Sequence, residues 1–395
     1  MKDSVISVIG LGKAGLPLAC VIADAGLEVI GIDVDSKKVD MINHGINPLK
    51  EEPDLEELIK KHGGNKLKAT TSYKEGIEKA TFHILIVPLF LDANKKPDYS
   101  ILDSATEQVG KFLKKDDVVV VETTLPVGTT EGRIKKILES KSKMKAGVDF
   151  HLGYSPERVM TGYAVSRYKE FPKVISGINE DSVKRIFNVY SKFVRKIVTA
   201  PDIKTAEMVK IAEGVYRDVN IAIANELYKV CKEYGIDFSI MKELAKHEYC
   251  NILEPGVGVG GHCIPVYPWF VIKNFEQKKP ENVKLMKTAR EVNDGMVDYW
   301  KAEILKRIKK HGKESKKAKI CIYGLTYRPG VKETYGSRSL ALYASLKKEG
   351  YNVYGWDDLL NQDEIKKLKV KIKKPEECDV VFDVFSRKIK IGPQS

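Results

Sequence analysis

Three glycines near the start of the chain limit its fold more than any other feature of the sequence. They are Gly10, Gly12 and Gly15, and they lie between a β-branched run that begins at Ser4 and a helical pattern that continues to Ala25. In the order strand, turn and helix, the first glycine makes the turn, the second lets a ligand approach the backbone, and the third allows close helix packing. The spacing predicts a βα unit that binds a dinucleotide.

A carboxylate completes this pattern. A second apolar run, residues 28–32, ends on Asp33, 21 residues after Gly12. An acidic side chain at this position accepts a hydrogen bond from a ribose hydroxyl and repels a 2′-phosphate, while the helix N-terminus favours the pyrophosphate. We therefore expect NAD rather than NADP as the cofactor. An ordinary βα turn without a ligand is the alternative interpretation.

The composition excludes several classes of protein. The chain has 395 residues, of which 43% are hydrophobic, enough for two or three domains. It has no apolar run of about 18 residues and no secretory signal, so a soluble, cytoplasmic protein without a membrane partner is predicted. The six cysteines form no C-x-x-C pair, so no metal site is expected. The net charge of +13 accompanies no nucleic-acid-binding module, and nucleic acid is not an expected partner.

Strand and helix patterns continue to alternate beyond the first unit, as in a parallel sheet. Strands are predicted at residues 82–87 and 117–121. Their carboxyl ends lead to Pro88, Thr123 and Thr124, and ligand crevices of such sheets open at this edge. The two threonines are interpreted as ligand-binding hydroxyls, with simple turn chemistry as the alternative.

The middle of the chain predicts one long helix. Residues 203–234 contain no proline, Asp202 is a suitable N-cap, and Gly235 is a suitable stop. A helix of this length typically forms a spine between domains or a subunit interface. One of its faces carries the i, i+4, i+7 and i+11 residues Lys210, Gly214, Arg217 and Ile221.

A glycine-rich loop with a thiol follows this helix. Four glycines between Gly256 and Gly261 lead to Cys263, and so much glycine excludes regular structure and permits close approach of a ligand. We interpret the loop as one that presents Cys263 to a ligand; an inert cysteine is the alternative. If the long helix meets the loop through the Lys210 face, the lysine lies near the thiol. Otherwise Lys210 is solvated or paired with a neighbouring glutamate.

The last part of the chain predicts a second βα unit. After a helical stretch at 282–310, strands are expected at 319–323 and 351–354, with a final strand at 378–385 and a short basic tail. The turn after the first of these strands contains Arg328. Its glycines do not form the dinucleotide pattern, so a different phosphate-bearing ligand is expected there.

Several segments resemble the UDP-glucose/UDP-N-acetylmannosamine 6-dehydrogenase family over nearly the whole chain. They comprise residues 10–19, 123–128, 154–158, 216–226, 256–270 and 324–328. The sequence Ser155-Pro-Glu-Arg158 and the Gly-Gly-His-Cys sequence look like the N-acetylhexosamine branch. The resemblance implies a four-electron oxidation at C6 of a UDP-N-acetylhexosamine, with UDP-N-acetylmannosamine as the expected substrate and two NAD consumed.

The resemblance also implies roles for the matching residues. Cys263 would form a thiohemiacetal and then a thioester, and Lys210 would stabilise the developing oxyanion. Glu157 would assist water or proton transfer, and Thr124 would help to hold the water. The expected cofactor-binding residues are Gly10, Gly12, Gly15, Asp33, Pro88 and Thr123. The expected substrate-binding residues are Arg217, Asn220, Gly260, Arg328, Tyr249 and Tyr267.

Five positions depart from the family pattern. Gly214 occupies the position on the long helix where the family has an Asn. Tyr267 occupies the position four residues after the cysteine where the family has an Asp that serves as general base. Tyr249 and Tyr335 stand where the family has two arginines, and Phe90 stands where it has a proline. Because a tyrosine has an ordinary pKa of about 10, it cannot replace a carboxylate base at neutral pH.

Three functions therefore remain open at this level. The first is a UDP-N-acetylhexosamine 6-dehydrogenase in which another group, such as Glu157 or Lys210, covers for the missing Asp. The second is a 6-dehydrogenase for another UDP-sugar, such as UDP-glucose or UDP-N-acetylglucosamine. The third is a degenerate paralogue that binds NAD or a partner without turnover.

The predicted fold class is α/β, with two Rossmann-like, doubly wound parallel-sheet domains joined by a long-helix central domain. Residues 1–198 are assigned to the NAD-binding domain and residues 199–310 to a helical domain that carries the cysteine loop. Residues 311–395 are assigned to a shortened UDP-sugar-binding domain. A homodimer is expected through the helical domain, because the long helix offers an apolar face and the resembling family assembles in this way.

Overall fold

The computed structural model describes residues 5–49, 52, 54–159, 162–312 and 314–392. Ser4, with which the first predicted strand begins, lies outside these residues. The chain divides into two compact units, Met1–Ala212 and Glu213–Ser395. The predicted domain boundaries at residues 198 and 310 stay a prediction.

The first unit consists of strands that alternate with helices. Its strands are β1 (Ile6–Ile9), β2 (Val29–Ile32), β3 (Leu67–Thr70), β4 (Phe82–Leu85), β5 (Phe90–Leu91), β6 (Pro97–Asp98), β7 (Val118–Val121), β8 (His151–Tyr154), β9 (Lys173–Gly177) and β10 (Ile197–Thr199). Its helices are α1 (Gly15–Asp24), α2 (Ser36–Asn43), α3 (Leu55–His62), α4 (Tyr73–Glu78), α5 (Ser100–Phe112), α6 (Lys135–Ser142), α7 (Ala164–Glu170) and α8 (Glu180–Tyr190), with a π-helical turn at Thr130–Ile134. The long helix α9 (Ile203–Glu233) begins here and continues into the second unit.

Eight strands of the first unit form one sheet in the order β10-β9-β8-β7-β4-β1-β2-β3. Neighbouring strands of this sheet are parallel, except that β8 and β9 are antiparallel. The sequence of β7 shows why both faces are covered: Val118 and Val120 belong to the apolar core on one face, and Val119 and Val121 to the core on the other. A strand buried on both faces is therefore apolar throughout rather than alternating.

The second unit contains the rest of α9, a glycine-rich loop and a smaller sheet. Its remaining helices are α10 (Phe238–Leu244), α11 (Tyr267–Phe275), α12 (Lys284–Lys310), α13 (Arg338–Lys348) and α14 (Gln362–Lys367), with 3-10 turns at Pro280–Val283 and Pro375–Glu377. Its strands are β11 (Ile320–Tyr323), β12 (Val353–Trp356), β13 (Val380–Asp383) and β14 (Lys388–Ile391), in the order β12-β11-β13-β14. The first three are parallel and β14 is antiparallel to β13.

Both sheets contain the same turn after their central strand. Gly10 and Gly324 have φ angles of +100° and +99°, values that favour glycine. The N–H of the next residue donates to an aspartate that follows the neighbouring strand: Leu11 to Asp33 at 2.9 Å, and Leu325 to Asp357 at 2.7 Å. The predicted α/β class, with two Rossmann-like sheets and a long helix, is confirmed.

The prediction for the last residues was wrong in one respect. The final strand is shorter than predicted, Val380–Asp383, and the expected basic tail forms an additional strand, Lys388–Ile391. In this edge strand the two lysines are exposed and the two isoleucines are partly buried, so its alternation is that of a strand with one solvated face. Only four residues carry that pattern, which is too few to stand out in a lysine-rich sequence.

A buried polar network fixes the glycine-rich loop of the second unit to α9 and α12. Arg290 donates to Asp218 at 2.6 Å, and Asn293 donates to the same carboxylate oxygen at 2.8 Å. Asn225 donates to Asn293 at 2.9 Å and accepts from the N–H of Gly256, also at 2.9 Å. A continuous chain of hydrogen bonds therefore leads from a buried ion pair to the first glycine of the loop.

Removal of the carboxylate should destabilise this unit strongly. We expect Asp218→Ala to lower the free energy of unfolding by about 3–5 kcal/mol, because it leaves the Arg290 charge buried without its main counter-ion. Asp298→Ala is the matched control on α12, where an exposed pair with Lys301 contributes about 0–1 kcal/mol. All three tryptophans, Trp269, Trp300 and Trp356, belong to this unit, so denaturant unfolding followed by tryptophan fluorescence reports on it. Equal losses in the two variants would contradict this assignment.

Candidate active site

The turn between β1 and α1 leaves room for a ligand at one glycine and none at another. A Cβ atom on Gly15 would lie 1.9 Å from the carbonyl oxygen of Gly10, so the helix packs against the turn as only glycine permits. A Cβ atom on Gly12 would meet nothing within 4 Å, so the backbone there is accessible. No side chain caps the N-terminus of α1. The space beside Gly12 and the uncapped helix end fit a pyrophosphate.

Asp33 follows β2 and faces this turn. It accepts hydrogen bonds from the N–H groups of Leu11 and Asp35 at 2.9 and 3.0 Å, and from the Lys38 ammonium at 2.9 Å. Burial alone would raise the pKa of Asp33, but these three donors outweigh it and hold the pKa below its ordinary value. The carboxylate is therefore charged at neutral pH, as an acceptor for ribose hydroxyls must be.

The loop after β7 contains the two predicted threonines. Thr123 and Thr124 are both buried, and the Thr123 hydroxyl donates to the carbonyl of Val87 at 2.7 Å, next to the exposed Pro88. This bond joins the ends of β4 and β7, the edge at which parallel sheets bind ligands. In this structure the Thr123 hydroxyl holds the two strand ends together, and its contact with a ligand stays a prediction.

Glu207 on α9 is a positioning residue that the sequence did not reveal. Its buried carboxylate accepts hydrogen bonds from the N–H of Gly128 and from both the N–H and the hydroxyl of Thr130, the last two at 2.9 and 2.7 Å. Burial raises the pKa of Glu207, although these donors oppose the shift. Glu207 therefore caps the helical segment after the threonine loop. Lys210, one turn further along α9, is also buried, with 8% of its surface exposed.

A second buried carboxylate supports the segment that contains Glu157. Glu122 is fully buried and accepts hydrogen bonds from the Lys173 ammonium, at 2.6 Å, and from the Tyr190 hydroxyl. Its own carbonyl accepts the N–H of Glu157 at 3.4 Å. Sequence reasoning missed this cluster, because an apolar strand that ends on an acidic residue gives no sign of a lysine 51 residues later.

In the second unit, Cys263 lies in an exposed turn before α11. Its carbonyl accepts hydrogen bonds from the N–H groups of Val266 and Tyr267, both at 3.0 Å. The bond from Tyr267 closes one turn, which ties the backbone of Cys263 to the start of α11. The cysteine is thus exposed on a backbone that is held in place, so it is not buried, and its reactivity stays a prediction.

The glycine-rich loop packs tightly against the segment after β11. A Cβ atom on Gly260 would lie 2.9 Å from the carbonyl oxygen of Gly336 and 3.0 Å from the Cβ atom of Tyr327. The N–H of Gly261 donates to the carbonyl of Tyr335 at 3.2 Å. The loop therefore requires glycine where two backbones meet, and this contact brings it beside the segment that contains Arg328.

Two aromatic rings stack at this contact. The rings of His262 and Tyr335 are parallel within 6°, with their centroids 3.8 Å apart. Glu333 lies 3.6 Å from the same histidine. Tyr335, one of the departures from the family pattern, thus forms part of the wall around the glycine loop.

The remaining predicted substrate-binding residues of the second unit lie at different depths. Asn220 donates to the carbonyl of Asn251 and accepts from the N–H of Leu253, both at 3.3 Å, so it holds the chain just before the glycine loop. Arg217 is exposed, and Tyr249 is 87% exposed. Tyr249 thus lies on the surface of its unit.

The predicted site residues fall into two groups. The cofactor-binding residues, Thr124, Glu157 and Lys210 belong to the first unit, and Cys263 with the expected substrate-binding residues belongs to the second. Among the residues with described positions, no helix is long and apolar enough to cross a membrane.

Comparisons with known proteins agree with this organisation. The UDP-glucose/GDP-mannose dehydrogenase family matches in two parts, its NAD binding domain at residues 4–194 and its central domain at residues 204–295. A UDP-N-acetyl-D-mannosamine dehydrogenase of Methanocaldococcus jannaschii is 38% identical over 358 residues, which cover 89% of this chain and 78% of that protein. An NDP-N-acetyl-D-galactosaminuronic acid dehydrogenase of Ralstonia nicotianae is 36% identical over 353 residues, covering 87% of this chain and 80% of that protein.

Solved structures give the same result. The UDP-D-ManNAc dehydrogenase of Pyrococcus horikoshii superposes with a TM-score of 0.88 at 30% identity, over 96% of this chain and 89% of that one. A UDP-glucose dehydrogenase of Pyrobaculum islandicum reaches a TM-score of 0.86 at 22% identity, which shows the shared fold alone. With its dinucleotide turn, its exposed thiol and both family domains in order, the chain belongs to the UDP-glucose/GDP-mannose dehydrogenase family and is an enzyme that uses NAD as its cofactor.

Proposed function

We propose that the protein oxidises C6 of a UDP-N-acetylhexosamine, with UDP-N-acetylmannosamine as the leading candidate, to the uronic acid. The observation that supports this most directly is the exposed Cys263 on a turn whose carbonyl accepts two N–H groups. The named UDP-N-acetyl-D-mannosamine dehydrogenases that resemble the chain support the choice of sugar.

The proposed chemistry explains why a thiol is needed. The first step removes a hydride from C6 and a proton from its hydroxyl, which leaves an aldehyde. The Cys263 thiolate then adds to the aldehyde carbon as a thiohemiacetal, and loss of a second hydride gives a thioester. Water breaks the C–S bond, releases the carboxylate and restores the thiol. When bound, NAD accepts the hydride in each oxidation, so two NAD are consumed for each sugar.

The other catalytic assignments are proposals that rest on the family pattern and on burial. Lys210 is proposed to stabilise the oxyanion, and a buried ammonium interacts with such a charge more strongly than a solvated one. Glu157 is proposed to assist the water, and Thr124 to help hold it. Arg328, beside the glycine loop, is proposed to contact the diphosphate, since guanidinium groups bind phosphate in a bidentate manner.

A second candidate differs in the sugar. The relative from Ralstonia nicotianae carries the name of an NDP-N-acetyl-D-galactosaminuronic acid dehydrogenase at nearly the same identity, which favours an N-acetylhexosamine without fixing its epimer. UDP-glucose is the more distant alternative. A degenerate protein that binds NAD without turnover is the third, because Gly214 and Tyr267 stand where the family pattern has polar residues.

We also propose that the protein is a homodimer through the end of α9 and α10. Exposed apolar side chains occur on these helices and on the turn between them, and they include Val230, Tyr234, Ile236, Ile240 and Leu244. Large exposed apolar patches of this kind typically mark an interface.

The substrate proposal predicts NADH formation with a matching UDP-sugar. The purified protein should reduce NAD faster with UDP-N-acetylmannosamine than with UDP-N-acetylgalactosamine, UDP-N-acetylglucosamine or UDP-glucose. It should form two NADH for each sugar oxidised. Absorbance at the NADH band and mass spectrometry of the product measure both quantities. NAD binding without NADH from any of these sugars would support the degenerate alternative instead.

The thiol should be essential for the acid product. We expect Cys263→Ser to lower carboxylate formation by about 10³-fold or more, because the hydroxyl cannot replace the thiolate as nucleophile. Cys250→Ser, a half-buried cysteine of the same unit, is the control and should retain activity. Unchanged acid production by the Cys263 variant would refute the assignment.

Asp33 should determine the choice of cofactor. We expect Asp33→Asn to weaken NAD binding about 10- to 100-fold, since the charge-assisted bond to the ribose is lost, and to reduce the discrimination against NADP. Asp40→Asn, an exposed carboxylate on α2, should leave both affinities unchanged. Because the pKa of Asp33 is lowered, its contribution should persist on acidification through the ordinary titration range of an aspartate and disappear only as the pH falls through the lowered pKa. Calorimetric titration at several pH values measures these effects.

The proposed dimer predicts a mass change on substitution at its apolar surface. Leu244→Glu should convert the dimer to a monomer in sedimentation experiments, since it places a charge in a buried contact. Leu285→Glu, equally a change at an exposed leucine of the second unit, should leave the mass unchanged. A monomeric parent protein would contradict the proposal.

A further inference from the structure

The middle of α9 contains a glycine that its backbone conformation does not require. Gly214 is a helical residue within Ile203–Glu233, and its φ angle is not among the positive ones. Glycine in a helix interior is less favourable than alanine, because it loses more backbone freedom on folding. A specific contact must therefore account for it.

The contact is with the ring of Tyr267. A Cβ atom on Gly214 would lie 2.8 Å from Cδ2 and 3.1 Å from Cβ of this tyrosine, the first of which is closer than real side chains come. Tyr267 is 8% exposed, and its ring also packs against Phe270, with centroids 5.9 Å apart. The ring thus lies directly on the α9 backbone, in space that any side chain at position 214 would occupy.

The same tyrosine holds the cysteine turn. Tyr267 is the first residue of α11, and its N–H donates to the carbonyl of Cys263. Pro268 follows it, which fixes the backbone of this first helical turn further. The helix α9, the tyrosine ring, the start of α11 and the Cys263 carbonyl are therefore linked by direct contacts.

We propose that Gly214 and Tyr267 act as one steric pair, in which the tyrosine ring on the bare helix backbone positions the Cys263 turn. In this assignment Tyr267 is a positioning residue that acts through the backbone of Cys263. The two departures from the family pattern on α9 and α11 are then a single coupled change, since a larger residue at 214 and an aromatic ring at 267 exclude each other. The link to turnover, though not the steric pairing, rests on the proposed function.

A double-substitution cycle tests the pairing without any substrate. The variants are Gly214→Ala, Tyr267→Ala and both together, and the measurement is the rate at which iodoacetamide alkylates Cys263, followed by peptide mass spectrometry. Gly214→Ala should change this rate about two- to tenfold, because the ring must move. In the Tyr267→Ala background the same substitution should have no effect, because the space is already empty. An equal effect in both backgrounds would overturn the pairing.

Two controls separate positioning from general damage. Gly295→Ala changes a helical glycine of α12 whose added Cβ meets nothing within 4 Å, and it should leave the rate unchanged in either background. Alkylation of Cys250 gives an internal reference in every variant. If Gly214→Ala does not fold, the alkylation rates of Tyr267→Phe and Tyr267→Ala are compared instead. The phenylalanine should keep the parent rate and the alanine should not, and equal rates in the two would overturn the positioning role.

Turnover measurements then connect the pair to catalysis. If the proposed function holds, kcat for NAD reduction should follow the same coupled pattern, while KM for NAD should not change, because the NAD-binding residues belong to the other unit. Absence of NADH in all variants together with coupled alkylation would refute the proposed function and leave the steric pair intact. NADH formation at an unchanged kcat across the cycle would overturn the positioning role in catalysis.

Discussion

The buried ion pair between Asp218 and Arg290 is the interaction on which the second unit depends. Two charges removed from water need partners of opposite charge and hydrogen bonds, and here Arg290 and Asn293 both donate to the same oxygen of the Asp218 carboxylate. These hydrogen bonds hold α9 against α12. Through Asn225, they also fix the first N–H of the glycine loop. A loop with four glycines has no rigidity of its own, so this network holds its beginning, and the contacts of Gly260 and Gly261 with the segment after β11 hold its end.

The same physical logic operates at the dinucleotide turn of the first unit. Asp33 orders the turn by accepting the N–H of Leu11, as Asp357 does for Leu325 in the second sheet. In the second sheet, however, Thr326 adds its own N–H and hydroxyl to the aspartate, at 2.9 and 3.1 Å. One backbone device thus occurs twice in the chain, and the residues around it differ. This difference agrees with the glycine pattern, which predicts a dinucleotide only in the first unit.

Local patterns predicted the fold well because they carry physical causes within a few residues of each other. The β1–Gly10–α1 order and the proline-free helix closed by Gly235 were readable from spacing, and the structure places both within one or two residues of the prediction. The Asp202 cap is also present, with its carboxylate accepting from Thr205 at 2.7 Å. The capping role of Glu207 and the Glu122–Lys173 pair were not readable, since their partners are 77 and 51 residues away in sequence.

The sequence by itself determined the class of fold, the cofactor and the family, because these follow from glycine spacing, an acidic residue after a strand, and several matched segments. Only the tertiary structure decided what the unusual residues do. Gly214 and Tyr267 are 53 positions apart, and separately each looks like a lost polar group. Their contact is visible only after α9 and α11 pack, because steric exclusion depends on which atoms come within about 3 Å of one another, and a separation of 53 residues in sequence does not show that.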